Sequence, residues 1–195
     1  MDISEKELRV LKDIDFLLTK STVLEKIYKI LEDTRDKLIK SVENTDFAFP
    51  EGTELLTGKI SRGENYKSLP YMVLDYPTLF TNESSFAFRT MFWWGNFFSS
   101  TLHLEGIVLD EYREIIAGNT DNLLNKNIFI GVGDTPWQYD YDKDNYLPLT
   151  KDHSKFINTC NFLKLSKTIA LSEYSNLPAF ASKFLNLMLT VLSSP

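Results

Sequence analysis

Two runs of strand-forming, aromatic-rich residues, Phe86–Trp94 and Phe97–Glu105, flank the pair Gly95-Asn96. Alternating apolar residues on either side of a Gly/Asn pair are the strongest short-range sign of a β-hairpin. An isolated hairpin is marginal in water, so the chain must supply more strands, or helices, to cover this one. Leu55–Arg62 and Leu69–Tyr76 read as two earlier strands, separated by the turn signal Gly63-Glu64-Asn65 and closed by Pro77. Asn127–Val132 reads as a fifth. A two-residue loop sets Trp94 opposite Phe97, Thr90 opposite Thr101 and Phe88 opposite His103. In that register Thr101, His103 and Glu105 share one face, and Arg89 lies on the other among apolar groups. A guanidinium there needs an anionic partner, and Asp75 of the neighbouring strand, or a bound carboxylate or phosphate, would serve.

Both ends of the chain change to helical period. Ser4-Glu5-Lys6-Glu7 is a capping box, followed by Leu8, Leu11, Ile14 and Leu18. Thr22-Val23-Leu24-Glu25 is a second box, with Ile27, Leu31 and Leu38 beyond it. Two boxes so close together predict two helices with a break near Lys20–Ser21. Asp110 is placed to cap a short helix that ends at Gly118. Phe156–Ala170 also reads as helical, with Cys160 mid-helix, and a last helix opens at Ser175 or Asn176 and runs to Leu192. This last helix is apolar nearly all round, which means burial between elements or at a subunit interface. Between them, Gly133–Leu149 reads as a long ordered loop rich in Tyr and Asp, a candidate functional loop by its length.

At 195 residues, against ~150 per domain, the expectation is one α+β domain spanning 1–195. It comprises a helical hairpin over 4–43, a sheet region over 53–133 and C-terminal helices over 152–192. The predicted fold is a mainly antiparallel sheet of about five strands flanked by N-terminal and C-terminal helices.

The formal net charge of −6 opposes nucleic-acid and anionic-membrane partners. The start MDISEKELRVLKDID has no apolar h-region, and no apolar run reaches the ~18 residues of a membrane span, so the expectation is a cytoplasmic protein. With one cysteine and two histidines, a Cys-rich zinc site, a CxxC redox pair and a three-histidine centre are excluded within one chain. Gly131-Val132-Gly133 lacks the third glycine and the helix start of a dinucleotide loop. Asp140, Asp142 and Asp144 have calcium-loop spacing, but the sixth and twelfth positions would be Asn145 and Lys151 instead of Gly and Glu. His103-x-Glu105 is half of a zinc-deaminase signature whose Cys half is missing. No metal and no cofactor is expected.

The most distinctive stretch is Lys59 to Tyr71, which sets Arg62, Tyr66 and Lys67-Ser68-Leu69-Pro70-Tyr71 around a turn ahead of an aromatic sheet. In this order of parts the region from Lys59 to Gly118 resembles a family of uncharacterised bacterial conserved proteins. Lys67-Ser68-Leu69-Pro70-Tyr71 fits that pattern, and Gly63 stands where the pattern has an acidic residue beside Arg62. The resemblance implies no reaction. The candidate ligand-binding residues are Arg62, Tyr66, Arg89, Thr101, His103 and Glu105. His103 and Glu105 form the expected site, and Arg89 the expected structural ion pair. The function expected is non-enzymatic small-molecule binding or interaction, with possible self-association through the C-terminal helix. The alternative is an enzyme in which arginine holds a small anionic substrate while His103 or Glu105 moves a proton.

Overall fold

A computed structural model describes residues 2–194. In chain order the helices are α1 (Glu5–Lys12), α2 (Ile14–Glu43), α3 (Ile107–Gly118), α4 (His153–Ile157) and α5 (Leu177–Leu192). The strands are β1 (Lys59–Tyr66), β2 (Leu69–Phe80), β3 (Ser84–Trp93), β4 (Phe97–Gly106), β5 (Phe129–Gly131), β6 (Tyr146–Pro148) and β7 (Phe162–Ala170). All seven form one sheet in the order β1-β2-β3-β4-β7-β5-β6, with every pairing antiparallel. The fold is therefore α+β with seven strands instead of about five. The sheet extends past residue 133 to take in β6 and β7.

The Ser4 capping box forms as expected. The second does not. Thr22 Oγ1 donates to Leu18 O within an unbroken helix, and the break falls at Asp13, whose carboxylate accepts from the Phe16 amide at 2.8 Å. The expected helical hairpin over 4–43, with its break near Lys20–Ser21, is instead one short helix followed by one unbroken helix of 30 residues. In α2, Ile27, Leu31, Thr34 and Leu38 are buried at helical spacing. Phe184, Leu185, Met188, Leu189, Val191 and Leu192 of α5 are buried too, and a Ser41–Ser182 hydroxyl pair 2.8 Å apart joins the two helices. The buried apolar side chains of α5 pack within the chain, between α2, α3 and the sheet.

Residues 158–170 are not helical. α4 ends at Ile157, Cys160 lies in the following turn, and β7 pairs along the whole of β4. The β3–β4 hairpin forms, but its loop has three residues, Trp94, Gly95 and Asn96. Trp93 faces Phe97, and the Asn96 amide donates to Trp93 O at 3.1 Å, with Gly95 at φ +74. The Gly63-Glu64-Asn65 turn is absent as well. These residues lie in β1 beside a register shift, and the chain reverses at Lys67 and Ser68, both at positive φ. A Cβ at Gly63 would lie 2.5 Å from the Tyr71 ring, so a side chain there would have to displace that ring.

Candidate functional site

The one-residue difference in loop length carries every β4 side chain to the opposite face of β3. Arg89 pairs with Thr101 and Ala87 with His103, so Arg89, Thr101, His103 and Glu105 share a face, contrary to the expected register. Phe86, Phe88 and Phe92 then face Leu104, Leu102 and Phe98 on the other side, against the helices. β2 adds Asp75 opposite Arg89, and β7 adds Lys164 opposite His103 and Ser166 opposite Thr101. The sheet thus has an apolar face under the helices and a polar face under the segment 132–145.

That polar face is largely buried and mostly paired. Arg89 donates to both Asp75 oxygens, at 2.7 and 2.8 Å, and to the Tyr139 hydroxyl at 3.0 Å. Burial works against the Arg89 charge, but its hydrogen bonds and the neighbouring negative charge outweigh this and raise its pKa. Asp75 is the partner expected for Arg89. Thr101 pairs with Ser166 at 2.6 Å, and Ser166 also meets the Tyr141 hydroxyl. The Tyr66 hydroxyl donates to Asp140 at 2.7 Å and accepts from the Tyr139 and Asp140 amides. Lys67 bridges Asp140 at 3.0 Å and Asp142 at 2.6 Å. Burial pushes the Asp140 pKa up, but Tyr66 and Lys67 pull it down further, and the balance lies below the usual carboxylate value. Two of the three aspartates with calcium-like spacing, Asp140 and Asp142, are therefore engaged from β1 and the turn after it. Among the described residues no group of three or more His, Cys, Asp or Glu is placed to hold a metal ion.

Lys164 is 0% exposed. Its ammonium sits 4.7 Å from the Tyr146 ring centroid and 5.0 Å from that of Tyr139, and donates to Gln138 O. Burial lowers its pKa to about 7. Gly131 allows this, since a Cβ there would meet Lys164 Cε at 2.8 Å. The Gly131-Val132-Gly133 stretch is the end of β5 where the lysine stem crosses.

His103 is 1% exposed and neither ring nitrogen has a hydrogen-bond partner. Its Nε2 lies 3.5 Å from Glu105 Oε2, too far for a hydrogen bond. Burial, with the charges of Lys164 and Arg89, lowers its pKa to about 3, so the ring is neutral and forms no ion pair with Glu105. Between the ordinary value of 6.5 and about 3, the unfolded chain takes up a proton that the folded chain refuses. Stability therefore falls as pH drops through that window, by up to about 1.4 kcal/mol per unit. His103→Phe keeps a ring and removes the nitrogens. Urea midpoints at pH 7, 5 and 4 should fall less steeply for this variant than for the wild type.

Of the six candidate residues, Arg89, Thr101, His103 and Glu105 share the polar face, and Tyr66 joins its network through Asp140. Arg62 does not. It faces Met72 on the apolar side of the sheet, in a groove of about 570 Å³ that it shares with Leu24, Tyr28 and Ile60. Lys164, Ser166, Tyr139, Tyr141 and Tyr146 were not among the candidates. For Lys164 and Ser166 the signal was present, because Leu163, Leu165 and Ile169 alternate with polar residues at strand period.

Fold and site together define an α+β protein whose single antiparallel sheet buries one apolar and one polar face. Comparison with known protein families, with curated proteins and with solved structures gives no match to this chain. Among the described residues no helix is long and apolar enough to cross a membrane.

Proposed function

We propose that the protein acts by non-enzymatic association, and that two copies of the chain meet through its N-terminal helices. One observation carries this reading. Eight large apolar side chains between Ile3 and Leu18 are 42–67% exposed, out of fourteen such residues among those described. A soluble monomer does not keep an apolar surface of this extent uncovered. The stripe also continues a seam already in use. Leu38 and Leu31 are buried against the core, Leu24 is half-buried one heptad earlier, and Leu17 emerges into solvent one heptad before that.

Charge selects the occupant. Residues 2–20 hold five acidic and four basic side chains. This near-balance favours neither an anionic lipid surface nor a strongly acidic or basic partner, and it suits a second mixed-charge amphipathic helix of the same kind. The polar face of the sheet weighs against the enzymatic alternative. Arg89, Tyr66 and Thr101 are engaged by Asp75, Asp140 and Ser166, and Lys164 is sealed behind tyrosines.

Sedimentation equilibrium tests the reading. The expected mass is twice 22.5 kDa at micromolar concentration. Leu11→Glu with Leu18→Glu should give a folded monomer that still melts cooperatively, at a midpoint that no longer depends on protein concentration, because both side chains are exposed in the single chain. A wild-type monomer, or a double variant that stays dimeric, would overturn it.

A further inference from the structure

The groove of about 570 Å³ that holds Arg62 lies where α2 passes from its exposed first turns to the buried Ile27. One wall is α2, with Ser21, Leu24 and Tyr28, and the other is the β1–β2 border of the sheet, with Ile60, Arg62 and Met72. Leu24 and Ile60 are only half-buried and Tyr28 is exposed. Arg62 is exposed too, and no ion pair among the described residues includes it. Glu25 also borders the groove without pairing with it. The groove therefore offers an incoming surface apolar contact and one uncommitted positive charge.

On α2 the lining residues form one stripe at helical spacing: Ser21, Leu24, Glu25 and Tyr28. Counted the other way from Ser21, the same spacing gives Leu18, Leu17 and Ile14, all apolar and 51–67% exposed. Two antiparallel copies of a helix related by a two-fold axis bring each residue against its mirror position. An axis at Ser21 sets Leu18 of one copy on Leu24 of the other, and Ile14 on Tyr28. The small serine at the crossing lets the helices approach closely. An axis at Lys20 would face two ammoniums, and one at Thr22 would set Leu18 on Lys26. Charge agrees with the Ser21 axis. Of the two aspartates beside this stripe, Asp13 is taken by the Phe16 amide. Asp15 is exposed and in no ion pair, and it lies beside Leu18 at i, i+3, on the side that enters the groove.

We infer that this groove is the seat of a second copy's α2, laid antiparallel with the two-fold axis at Ser21, so that residues 14–18 of each copy fill the groove of the other and Asp15 meets the partner's Arg62. This rests on the self-association proposed above and adds to it a seat, a register and an ion pair. A small anion in the groove would answer Arg62 but leave Ile14, Leu17 and Leu18 bare. Two parallel helices would cover those side chains but leave the groove and its guanidinium empty. The antiparallel pair answers both, and each contact occurs twice.

Cross-linking and sedimentation equilibrium on the full chain test it. In a Cys160→Ser background, Ser21→Cys should form a covalent dimer under mild oxidation, because its two copies meet at the axis. Leu18→Cys should not, at a concentration where sedimentation shows a dimer. Its two copies stand about 9 Å apart along the helices, out of disulfide reach, whereas parallel helices would bring them together. Arg62→Glu and Asp15→Arg should each weaken association about tenfold or more, and the two combined should return it to within about threefold of the wild type. All four positions are exposed in the single chain, so folding is not at stake. A wild-type monomer overturns the association itself. A wild-type dimer in which Ser21→Cys stays unlinked, Leu18→Cys links, or the combined charge variant remains as weak as the single ones keeps the association and overturns this seat.

Discussion

Replacing Arg89 by Met is expected to remove about 3–5 kcal/mol of folding stability. The change leaves the Asp75 carboxylate without its two hydrogen-bond donors under the tyrosine cover, and leaves the Tyr139 hydroxyl without its donor. Removing one partner strands a desolvated charge, which costs far more than the intact pair contributes. The double variant Asp75→Leu, Arg89→Met strands nothing and should recover most of the loss. Urea denaturation of the three variants checks this. A single-variant loss below about 1 kcal/mol, the range of exposed pairs, would show that water reaches Asp75 despite its cover.

Truncation after Leu177 is expected to abolish the native state altogether. It removes Phe184, Leu185, Met188, Leu189, Val191 and Leu192, all buried in α5. At about 1.5–3 kcal/mol for each buried side chain, the loss is roughly 9–18 kcal/mol. That matches or exceeds the ~5–15 kcal/mol by which whole domains are stable. It also uncovers the apolar flank of α2 and the core side of β4 and β7. Insoluble protein, or protein without near-UV circular dichroism and without a cooperative melt, is the expected result. A soluble product that melts near the wild-type temperature would make α5 an accessory element.

What the sequence made legible was the kind of each long, strongly patterned element, and what it hid was register. The hairpin around Gly95-Asn96, the capping box at Ser4 and the burial of α5 all follow from residues a few positions apart. The loop length does not, since Trp94 fits either as the last strand residue or as the first of the turn. Only the joint pattern of both strands decides. The three-residue loop puts Phe86, Phe88 and Phe92 together with Leu104, Leu102 and Phe98, a segregation the two-residue loop breaks. Because that choice sets which face Arg89 occupies, the candidate site moved with it. β7 was hidden for another reason. Phe156, Ile157, Cys160 and Leu163 sit at helical spacing immediately before Leu163, Leu165 and Ile169 alternate, and one period masks the other. β6, with three residues, exists only because β5 is there to pair with it.

The two outer strands of the sheet have a consequence for how this chain behaves when crowded. One border is β6, three residues long and ending in Pro148, which has no amide proton to offer. The other is β1, broken by its register shift, carrying exposed Lys59, Arg62 and Glu64, and tied to α2 by a Lys20–Glu64 contact of 3.2 Å. Neither border presents a long, flat row of free backbone groups, so neither can template an incoming strand. A chain with fourteen Phe, nine Tyr and three Trp is rich in the material of fibrils. Its borders close the route by which sheets grow without limit.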